Sequence, residues 1–479
     1  MTRMTIQAEA LMTALTGAGR AGQEIALLDV REEGVFGRRH ILTAVNLPLS
    51  RLELRIRDLV PRRGTPLVLC DGGEGLAERA LAVVQEAGYR SCSVLAGGIE
   101  SWAAAGFMFY SGVDVPSKVF GEVVEQRFDT PSITAEALQA KIESGEDLVI
   151  LDSRPLEEFR DMSIPGAIDT PGAELVYRAR DLAPNPETLV VVNCAGRTRS
   201  IIGCQSLINA GLPNPVVALR NGTMGWHLAG FTLDSGSERR FGPASASALD
   251  WSRAAARQVA TRFGVEFIDH GTLDRWRDES GSRTLYVLDV RQAGEYEAGH
   301  LPGARPAPGG QLVQSTDQYV AVRGARIVLV DDTLVRATMT ASWLRQAAYP
   351  NVFVLEEGSP AAGLVRGPHR PEILGAHDRS ADTITAAALH DAGDQVVTID
   401  LADSLAYRAG HIPGARWAMR ARLEEALGRL PPSARYVLTS PDGALAGLAA
   451  RDLSRLTPVR VSLLEGGTAA WKAAGLGPA

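Results

Sequence analysis

A cysteine and two arginines lie within six residues of one another, between a strand-like run and a helix-like run. Residues 190–211 read VVVNCAGRTRSIIGCQSLINAG, so Cys194 follows four strand-like residues, and Arg197 and Arg199 come shortly after it. Positive neighbours favour the thiolate form of a cysteine, which is its nucleophilic form. A thiolate can take a group from one substrate and pass it to another through a covalent intermediate. The spacing therefore predicts Cys194 as a catalytic nucleophile.

The backbone around Cys194 is also expected to attract an anion. The apolar run before the cysteine predicts a buried strand, and residues 200–210 predict a helix capped by Gly211. Amide groups at the start of a helix have no partner inside it, and the helix dipole makes that end electropositive. We therefore predict substrate binding by Ala195, Gly196, Arg197, Thr198, Arg199 and Ser200.

The frame around this loop occurs four times in the 479 residues. Each copy begins with an apolar strand that ends at an aspartate, and a related turn follows eleven residues later. A second apolar strand follows, and a glycine turn comes 28 residues after its end. The aspartates are Asp29, Asp152, Asp289 and Asp400, and the second strands end at Cys70, Cys194, Val330 and Thr439. Repetition at constant spacing predicts homologous domains.

We place the four domains at residues 1–112, 125–236, 258–368 and 378–479, with linkers at 117–130, 235–247 and 367–380. Apolar strands that alternate with helical segments predict the α/β class, in which each domain has a mostly parallel central sheet flanked by helices. Ligands bind beyond the carboxyl ends of the strands in such sheets, and Cys194 follows a strand at that edge.

These motifs resemble the rhodanese (thiosulfate sulfurtransferase) family over most of the chain. They are the D-x-R sequence, the H-I-P-G-A turn, the cysteine loop at a strand end, and a glycine pair followed by tryptophan, which Ala362 replaces in the third copy. The resemblance implies four tandem rhodanese-like domains and a transferase without a cofactor. It also implies that Cys194 takes a sulfane sulfur from thiosulfate or a similar anion, carries it as a persulfide, and gives it to a thiol or cyanide. A sulfur-carrier protein is a further candidate partner.

The other three copies are predicted to be inactive. Cys70 is expected at the nucleophile position of the first copy, but its loop contains two acids, including Asp71, and no arginine. Negative neighbours disfavour a thiolate and repel anionic donors. The third and fourth copies have Val330 and Thr439 at that position, so they cannot form a persulfide. The fourth copy also has Ala402 in place of the D-x-R arginine.

Other recurring residues are predicted to be structural. Asp152 and Arg154 form a D-x-R pair that also occurs in copies expected to be inactive, so we expect them to support the loop rather than take part in chemistry. Apolar spacing indicates further core positions. The residues expected in the core are Ile201, Cys204, Ile208 and Cys92, and Trp226 is expected either in the core or in the wall of the pocket.

Composition excludes several classes of function. The formal net charge of −7 gives no support for nucleic-acid binding. No apolar run is long enough to span a membrane, and the first residues do not resemble an export signal, so we expect a cytoplasmic protein. The four cysteines and eight histidines lack the spacing of metal ligands, so no metal site is expected.

Two alternatives stay open at this point. A cysteine-dependent phosphatase needs an arginine six residues after its cysteine, whereas here that position is Ser200 and the arginine comes one residue earlier, at Arg199. The second alternative is a non-catalytic scaffold, in which four rhodanese-like modules bind a sulfur-carrier partner. The three copies predicted to be inactive favour the scaffold, and the loop at Cys194 favours an enzyme.

Overall fold

A computed structural model describes residues 5–19, 22–356, 358, 363–375 and 381–477. Their strands form four sheets, three of five strands and one of six, in which every strand pair except one is parallel. Helices flank each sheet. The predicted fold class, four tandem α/β domains with mostly parallel sheets, is therefore confirmed. Ala362 and residues 376–380, which fall in a predicted motif and a predicted linker, lie outside the described residues.

The strands are short, as in most α/β domains. In the first two domains they are β1 (Thr5–Ile6), β2 (Ile25–Asp29), β3 (Val45–Asn46), β4 (Leu67–Cys70), β5 (Cys92–Leu95), β6 (Ser132–Ile133), β7 (Leu148–Asp152), β8 (Ile168–Asp169), β9 (Leu189–Asn193) and β10 (Val216–Leu219). In the last two they are β11 (Glu266–Ile268), β12 (Leu285–Asp289), β13 (Arg305–Pro306), β14 (Val322–Arg323), β15 (Arg326–Val330), β16 (Val352–Leu355), β17 (Asp382–Ile384), β18 (Val397–Asp400), β19 (Arg416–Trp417), β20 (Arg435–Thr439) and β21 (Arg460–Leu464).

The helices follow the same repeat. Those up to the second domain are α1 (Ala8–Gly17), α2 (Glu33–Phe36), α3 (Leu52–Leu59), α4 (Leu76–Glu86), α5 (Gly98–Ala104), α6 (Val115–Phe128), α7 (Ala135–Glu143), α8 (Leu156–Asp161), α9 (Leu175–Leu182), α10 (Thr198–Asn209) and α11 (Gly222–Leu228). The later ones are α12 (Ala246–Phe263), α13 (His270–Asp278), α14 (Ala293–Ala298), α15 (Gly309–Gln314), α16 (Val335–Gln346), α17 (Ala386–Ala392), α18 (Ser404–Ala409), α19 (Leu423–Leu427), α20 (Ala444–Leu456) and α21 (Gly467–Ala473).

Each sheet pairs the aspartate strand with the strand that leads into a loop. The order in the second domain is β6-β10-β9-β7-β8, and the other three sheets repeat it, except that β14 of the third domain adds to β2 of the first in antiparallel orientation. Val190, Val191 and Val192 in β9 are fully buried, as expected for a central strand covered on both faces. The register pairs Asp152 with Asn193, so Cys194 is the first residue beyond the sheet.

Two helices lead into the second and third domains. Helix α6 occupies most of the segment 117–130, which we predicted as a linker between the first two domains. The helix forms because its Val115, Gly121 and Val124 are buried, and it packs along α10. Helix α12 packs against α16 in the same way. Among the described residues, no helix combines the length and apolarity needed to cross a membrane.

The domains are joined by buried polar contacts as well as by apolar packing. Arg336 on α16 is 1% exposed on its side chain and reaches Glu174 of the second domain at 2.8 Å. Glu24 of the first domain accepts hydrogen bonds from the backbone amide and the hydroxyl of Thr284 in the third, at 2.8 and 2.7 Å. Buried charges are costly unless paired, so these contacts fix how the domains lie against each other.

A buried carboxyl group in the second domain has no described hydrogen-bond partner. Asp169 ends β8 beside Asp152, and neither of its carboxyl oxygens has a hydrogen-bond partner among the described residues. The equivalent residue in the first domain is Asn46, whose side-chain amide donates to the backbone oxygens of Asp29 and Arg31. An ionised carboxylate has no proton to donate in this place. Burial raises the pKa of Asp169 to about 7, although Arg240 opposes the shift.

We expect Asp169→Asn to raise the melting temperature, and by more at pH 8 than at pH 5. In the folded protein the pKa of the Asp169 carboxyl group lies above its ordinary value near 4. The group therefore lowers the free energy of unfolding increasingly as pH rises from about 4 to about 7, and this penalty is constant at higher pH. The stability gain of the variant should shrink by about 3 kcal/mol between pH 8 and pH 5.

Asn46→Asp in the first domain is the matched control. It introduces the same carboxyl group into the equivalent place, so it should lower the melting temperature, again more at pH 8 than at pH 5. An Asp169→Asn variant whose melting temperature differs from that of the native chain by the same amount at both pH values would contradict this interpretation.

Candidate active site

Cys194 lies where the sequence predicts it, between a central strand and the start of a helix. Strand β9 ends at Asn193, and α10 begins at Thr198, two residues earlier than we predicted. The helix ends before Gly211, whose φ of +70° gives the left-handed turn expected of a glycine cap. Cys194 is 2% exposed, while residues 195–199 are partly exposed. The thiol therefore lies at the bottom of a short loop that opens to solvent.

The backbone amides of this loop are free to bind a ligand. Within the described ranges, none of the amides of residues 195–200 donates to an acceptor in the protein. The first intrahelical donor is Ile201, which bonds to the Arg197 oxygen. The hydroxyl of Ser200 donates to the sulfur of Cys194 at 3.0 Å. A hydroxyl donor and free amides at a helix start both attract negative charge.

The other three loops place a polar group where Cys194 lies. The backbone amides of Ile99, Thr223 and Thr468 bond to the oxygens of Asp71, Cys194 and Ser440, respectively, which makes these three residues equivalent. In the third domain Val330 pairs with Asp289 as the last residue of its strand, so Asp331 is the first residue beyond the sheet. Gly358 also lies close to the Asp331 oxygen, as Gly222 lies close to the Cys194 oxygen, so Asp331 is equivalent to Cys194.

This equivalence corrects the prediction that Cys70 holds the nucleophile position of the first copy. Cys70 pairs with Asp29 as the last residue of its strand, as Asn193 pairs with Asp152, so Asp71 holds that position. The connection between the helix and the next strand is one residue longer in the second domain, at 210–215, than in the first, at 87–91, which is why counting from the closing glycine misaligned the two loops. Cys70 is fully buried, and burial raises the pKa of its thiol well above the ordinary value.

In the first and third domains, a carboxyl group of the chain binds the loop amides. Asp71 accepts from the amides of Gly73 and Ala77 at 2.9 and 3.1 Å. Asp331 accepts from the amides of Leu334 and Arg336 at 2.7 and 3.0 Å. Burial raises the pKa of Asp331, and Arg336 with these donors counteracts the shift. These loops therefore show which kind of group the amides bind, namely a negatively charged or strongly accepting one.

The start of α11 donates backbone hydrogen bonds to the cysteine loop. Thr223 donates its amide to the Cys194 oxygen at 2.8 Å, and Met224 donates to the Ala195 oxygen at 3.0 Å. Gly222 has a φ of +54°, and a β-carbon at this position would overlap the Cys194 carbonyl oxygen. A glycine is therefore required for the start of α11 and the cysteine loop to approach this closely.

The D-x-R pair lies beside the loop. Arg154 donates to both carboxyl oxygens of Asp152, at 2.9 and 2.8 Å, and to the backbone oxygens of Glu158 and Met162. Asp152 also accepts from the side-chain amide of Asn193 at 2.7 Å, directly before the cysteine. Both members of the ion pair are nearly inaccessible to solvent. Their role in supporting the loop stays a prediction, and these contacts favour it.

The two loop arginines are bound by carboxylates rather than left free. Arg197 forms ion pairs with Glu122, at 2.8 Å, and with Glu125, both on α6. Arg199 forms a two-point ion pair with Glu158 at 2.7 and 2.8 Å. The sequence did not reveal these partners, because the glutamates of α6 lie more than 70 residues before the loop and α6 was predicted as a linker.

The remaining predictions concern the core. Cys204 and Cys92 are fully buried, and burial raises the pKa of Cys204 to about 12 and that of Cys92 to about 11. Ile201 and Trp226 are also buried, whereas Ile208 is 38% exposed, so its predicted place in the core is wrong. Position 208 lies near the end of α10, where the helix reaches solvent. Among the residues that the structure describes, no group of three or more histidine, cysteine or acidic side chains is arranged to hold a metal.

Comparison with known proteins agrees with the fourfold repeat. The rhodanese-like domain model matches residues 14–105, 134–229, 271–362 and 384–474. A solved thiosulfate sulfurtransferase from Pseudomonas aeruginosa is 49% identical in sequence and superimposes with a TM-score of 0.95, over 99% of this chain and 90% of that one.

Two curated proteins match over shorter stretches. A putative sulfur carrier protein of Bacillus subtilis is 29% identical over 125 residues, which are 23% of this chain and 68% of that protein. An HTH-type transcriptional regulator of Mycobacterium tuberculosis is 26% identical over 238 residues, which are 48% of this chain and 93% of that protein. Because the family model matches most of the chain in four consecutive stretches, the chain belongs to the rhodanese-like family and is a sulfurtransferase of the rhodanese type.

Proposed function

We propose that the chain moves a sulfane sulfur from thiosulfate to a thiol or cyanide through a persulfide on Cys194. The observation that carries the proposal is the difference between the four loops. The first and third loops bind a carboxyl group of the chain through their amides, whereas the second presents free amides beside a thiol. A persulfide anion on Cys194 would provide those amides with the negative group that Asp71 and Asp331 provide elsewhere.

The first step loads the sulfur. The Cys194 thiolate attacks the outer sulfur of thiosulfate, an S–S bond forms, and the bond between that sulfur and the sulfonate group breaks. Sulfite leaves with the electron pair, and the enzyme carries Cys–S–S⁻. The Ser200 hydroxyl, 3.0 Å from the sulfur, stabilises the thiolate before attack. Because Cys194 is only 2% exposed, we expect a sulfur donor whose terminal sulfur is unsubstituted and can reach the thiol, rather than one with a bulky group there.

The second step unloads the sulfur. Cyanide or a thiolate attacks the outer atom of the persulfide, and the Cys194 thiolate leaves and returns to its resting form. Two half-reactions through one covalent intermediate give ping-pong kinetics. Thiosulfate is our proposed donor because it is a dianion and the thiosulfate sulfurtransferase of Pseudomonas aeruginosa is similar along nearly the whole chain. The acceptor includes small nucleophiles and, as a further candidate, a sulfur-carrier protein.

The alternative of a non-catalytic scaffold applies to the first, third and fourth domains. Asp71, Asp331 and Ser440 hold the place of Cys194, and none of them has a thiol. We infer that these domains support the second domain and its partners. A phosphatase is disfavoured because the second loop lacks an arginine at the sixth position after the cysteine. Turnover of an aryl phosphate at a rate comparable to thiosulfate turnover would reverse that preference.

The first test replaces the nucleophile. Cys194→Ser should reduce thiocyanate formation from thiosulfate and cyanide by about 1,000-fold or more, because no other described cysteine is placed to form the persulfide. Cys70→Ser is the matched control and should retain most of the rate, since Cys70 ends a buried strand. Circular dichroism would check that both variants fold. Equal rates in the native chain and Cys194→Ser would rule out the mechanism.

The second test concerns the hydroxyl donor. Ser200→Ala should lower kcat/KM for thiosulfate by about 10- to 100-fold, the size expected when a hydrogen bond to a charged group is lost. Ser206→Ala is the matched control, because Ser206 is a buried serine on the same helix that bonds to Ile202 and Trp343 instead. It should lower the melting temperature with little change in kcat/KM. A similar loss of kcat/KM in both variants would assign Ser200 a purely structural role.

The third test concerns the ion pair of Arg199. If the dianion binds near this guanidinium, it competes with Glu158, so Glu158→Gln should lower the KM for thiosulfate and Arg199→Ala should raise it, each by about threefold to tenfold at low ionic strength. The difference between the two variants should shrink as salt is added, because the competition is electrostatic. A KM that is the same in both variants would remove Arg199 from the donor site.

A further inference from the structure

The fourth domain lacks a cation that the other three domains place in the same position. In each of those domains, the D-x-R arginine donates to both oxygens of the buried aspartate. The same guanidinium also donates, at 2.7–2.8 Å, to a backbone oxygen ten residues after the aspartate. Those backbone oxygens belong to Arg39, Met162 and Gly299. The fourth domain has Ala402 instead of the arginine.

Replacement of the arginine leaves a cavity of about 170 Å³. Its lining includes Asp400, Ala402, Ala406, Gly410, Thr468 and Lys472. Asp400 and Gly410 are the counterparts of Asp152 and Met162, which bind the guanidinium of Arg154 in the second domain. Ala406 is the counterpart of Glu158, whose backbone oxygen binds that guanidinium as well. Part of the cavity lining is therefore formed by counterparts of residues that bind an arginine head group in the second domain.

Two acceptors in this cavity lack the guanidinium that binds their counterparts in the other three domains. Asp400 is 1% exposed, and one oxygen accepts the Ala402 amide at 2.9 Å, but no basic side chain forms an ion pair with it among the described residues. The oxygen of the buried Gly410 accepts no hydrogen bond from any described group. Burial raises the pKa of Asp400, while the Ala402 amide, the charges of His411 and Lys472, and the Thr468 hydroxyl act in the opposite direction. A buried carboxylate without an ion pair and a buried carbonyl oxygen without a donor are both costly, so the cavity favours a cationic donor.

We propose that the cavity of the fourth domain binds a small monosubstituted guanidinium ligand, which pairs with Asp400 and donates to the Gly410 oxygen. This inference is independent of the sulfur chemistry of Cys194. A planar guanidinium fits because it offers two parallel N–H groups to a carboxylate and a further N–H at a fixed angle. An ammonium ion cannot make that arrangement, so the site should discriminate between the two cations. Lys472, which lines the cavity, and His411, whose charge acts on Asp400, limit the ligand to a single positive charge.

The experiment titrates the full chain with methylguanidinium by isothermal calorimetry, with methylammonium as the control ion. We expect one site per chain with a dissociation constant of about 1 mM or tighter for methylguanidinium, and at least about tenfold weaker binding of methylammonium. A short peptide with one arginine, titrated in parallel, tests the other source of the same head group. A peptide that binds more tightly than methylguanidinium would overturn the assignment to a small ligand.

Three variants test the location. Ala402→Arg restores the missing guanidinium, so it should abolish binding and raise the melting temperature. Asp400→Asn should weaken binding by at least about tenfold, because the charge-assisted pair is lost. Asp403→Asn makes the same charge change at an exposed site nearby and should leave binding unchanged. Absence of saturable binding to the native chain, or equal binding to the native chain and Ala402→Arg, would overturn the proposal.

Discussion

Unpaired backbone amides at the start of one helix, next to a thiol, are the feature on which the rest of the structure depends. A helix start attracts negative charge, and in the first and third domains the chain supplies that charge itself through Asp71 and Asp331. In the second domain a cysteine holds the same place, and we propose that the negative group there is a persulfide formed on its sulfur. The loop amides are therefore bound by a carboxyl group of the chain in the first and third domains, whereas in the second domain they are free of any described acceptor.

Contacts from several elements surround that loop. Gly222 allows the closing loop to approach the Cys194 oxygen, and the Asp152–Arg154 pair is linked through Asn193 to the residue before the cysteine. Helix α6 lies along α10 and binds Arg197 through its glutamates. The segment between the first two domains is therefore part of the site's surroundings. The third domain approaches the same loop, where Gln311 lies 3.4 Å from the Arg199 guanidinium.

The repeat and the fold class could be predicted because apolar strands and glycine turns recur at constant intervals, and such periodicity depends on local sequence. The position of Cys194 at a strand end could be predicted for the same reason. The partners of Arg197 could not, since they depend on how α6 packs after folding. The misplacement of Cys70 has a different cause. A single extra residue between the helix and the next strand of the second domain shifts the alignment that is counted from the closing glycine, and the strand register is needed to detect the shift.

The central claim is that Cys194 carries sulfur as an anion held by the loop amides. Intact-mass spectrometry of the full chain after incubation with thiosulfate, without an acceptor, tests it most directly. We predict a mass gain of one sulfur atom, located on Cys194 by peptide mapping and removed by cyanide. A chain that forms thiocyanate at the full rate while its mass stays unchanged, or that carries the extra sulfur on Cys70, would contradict the account.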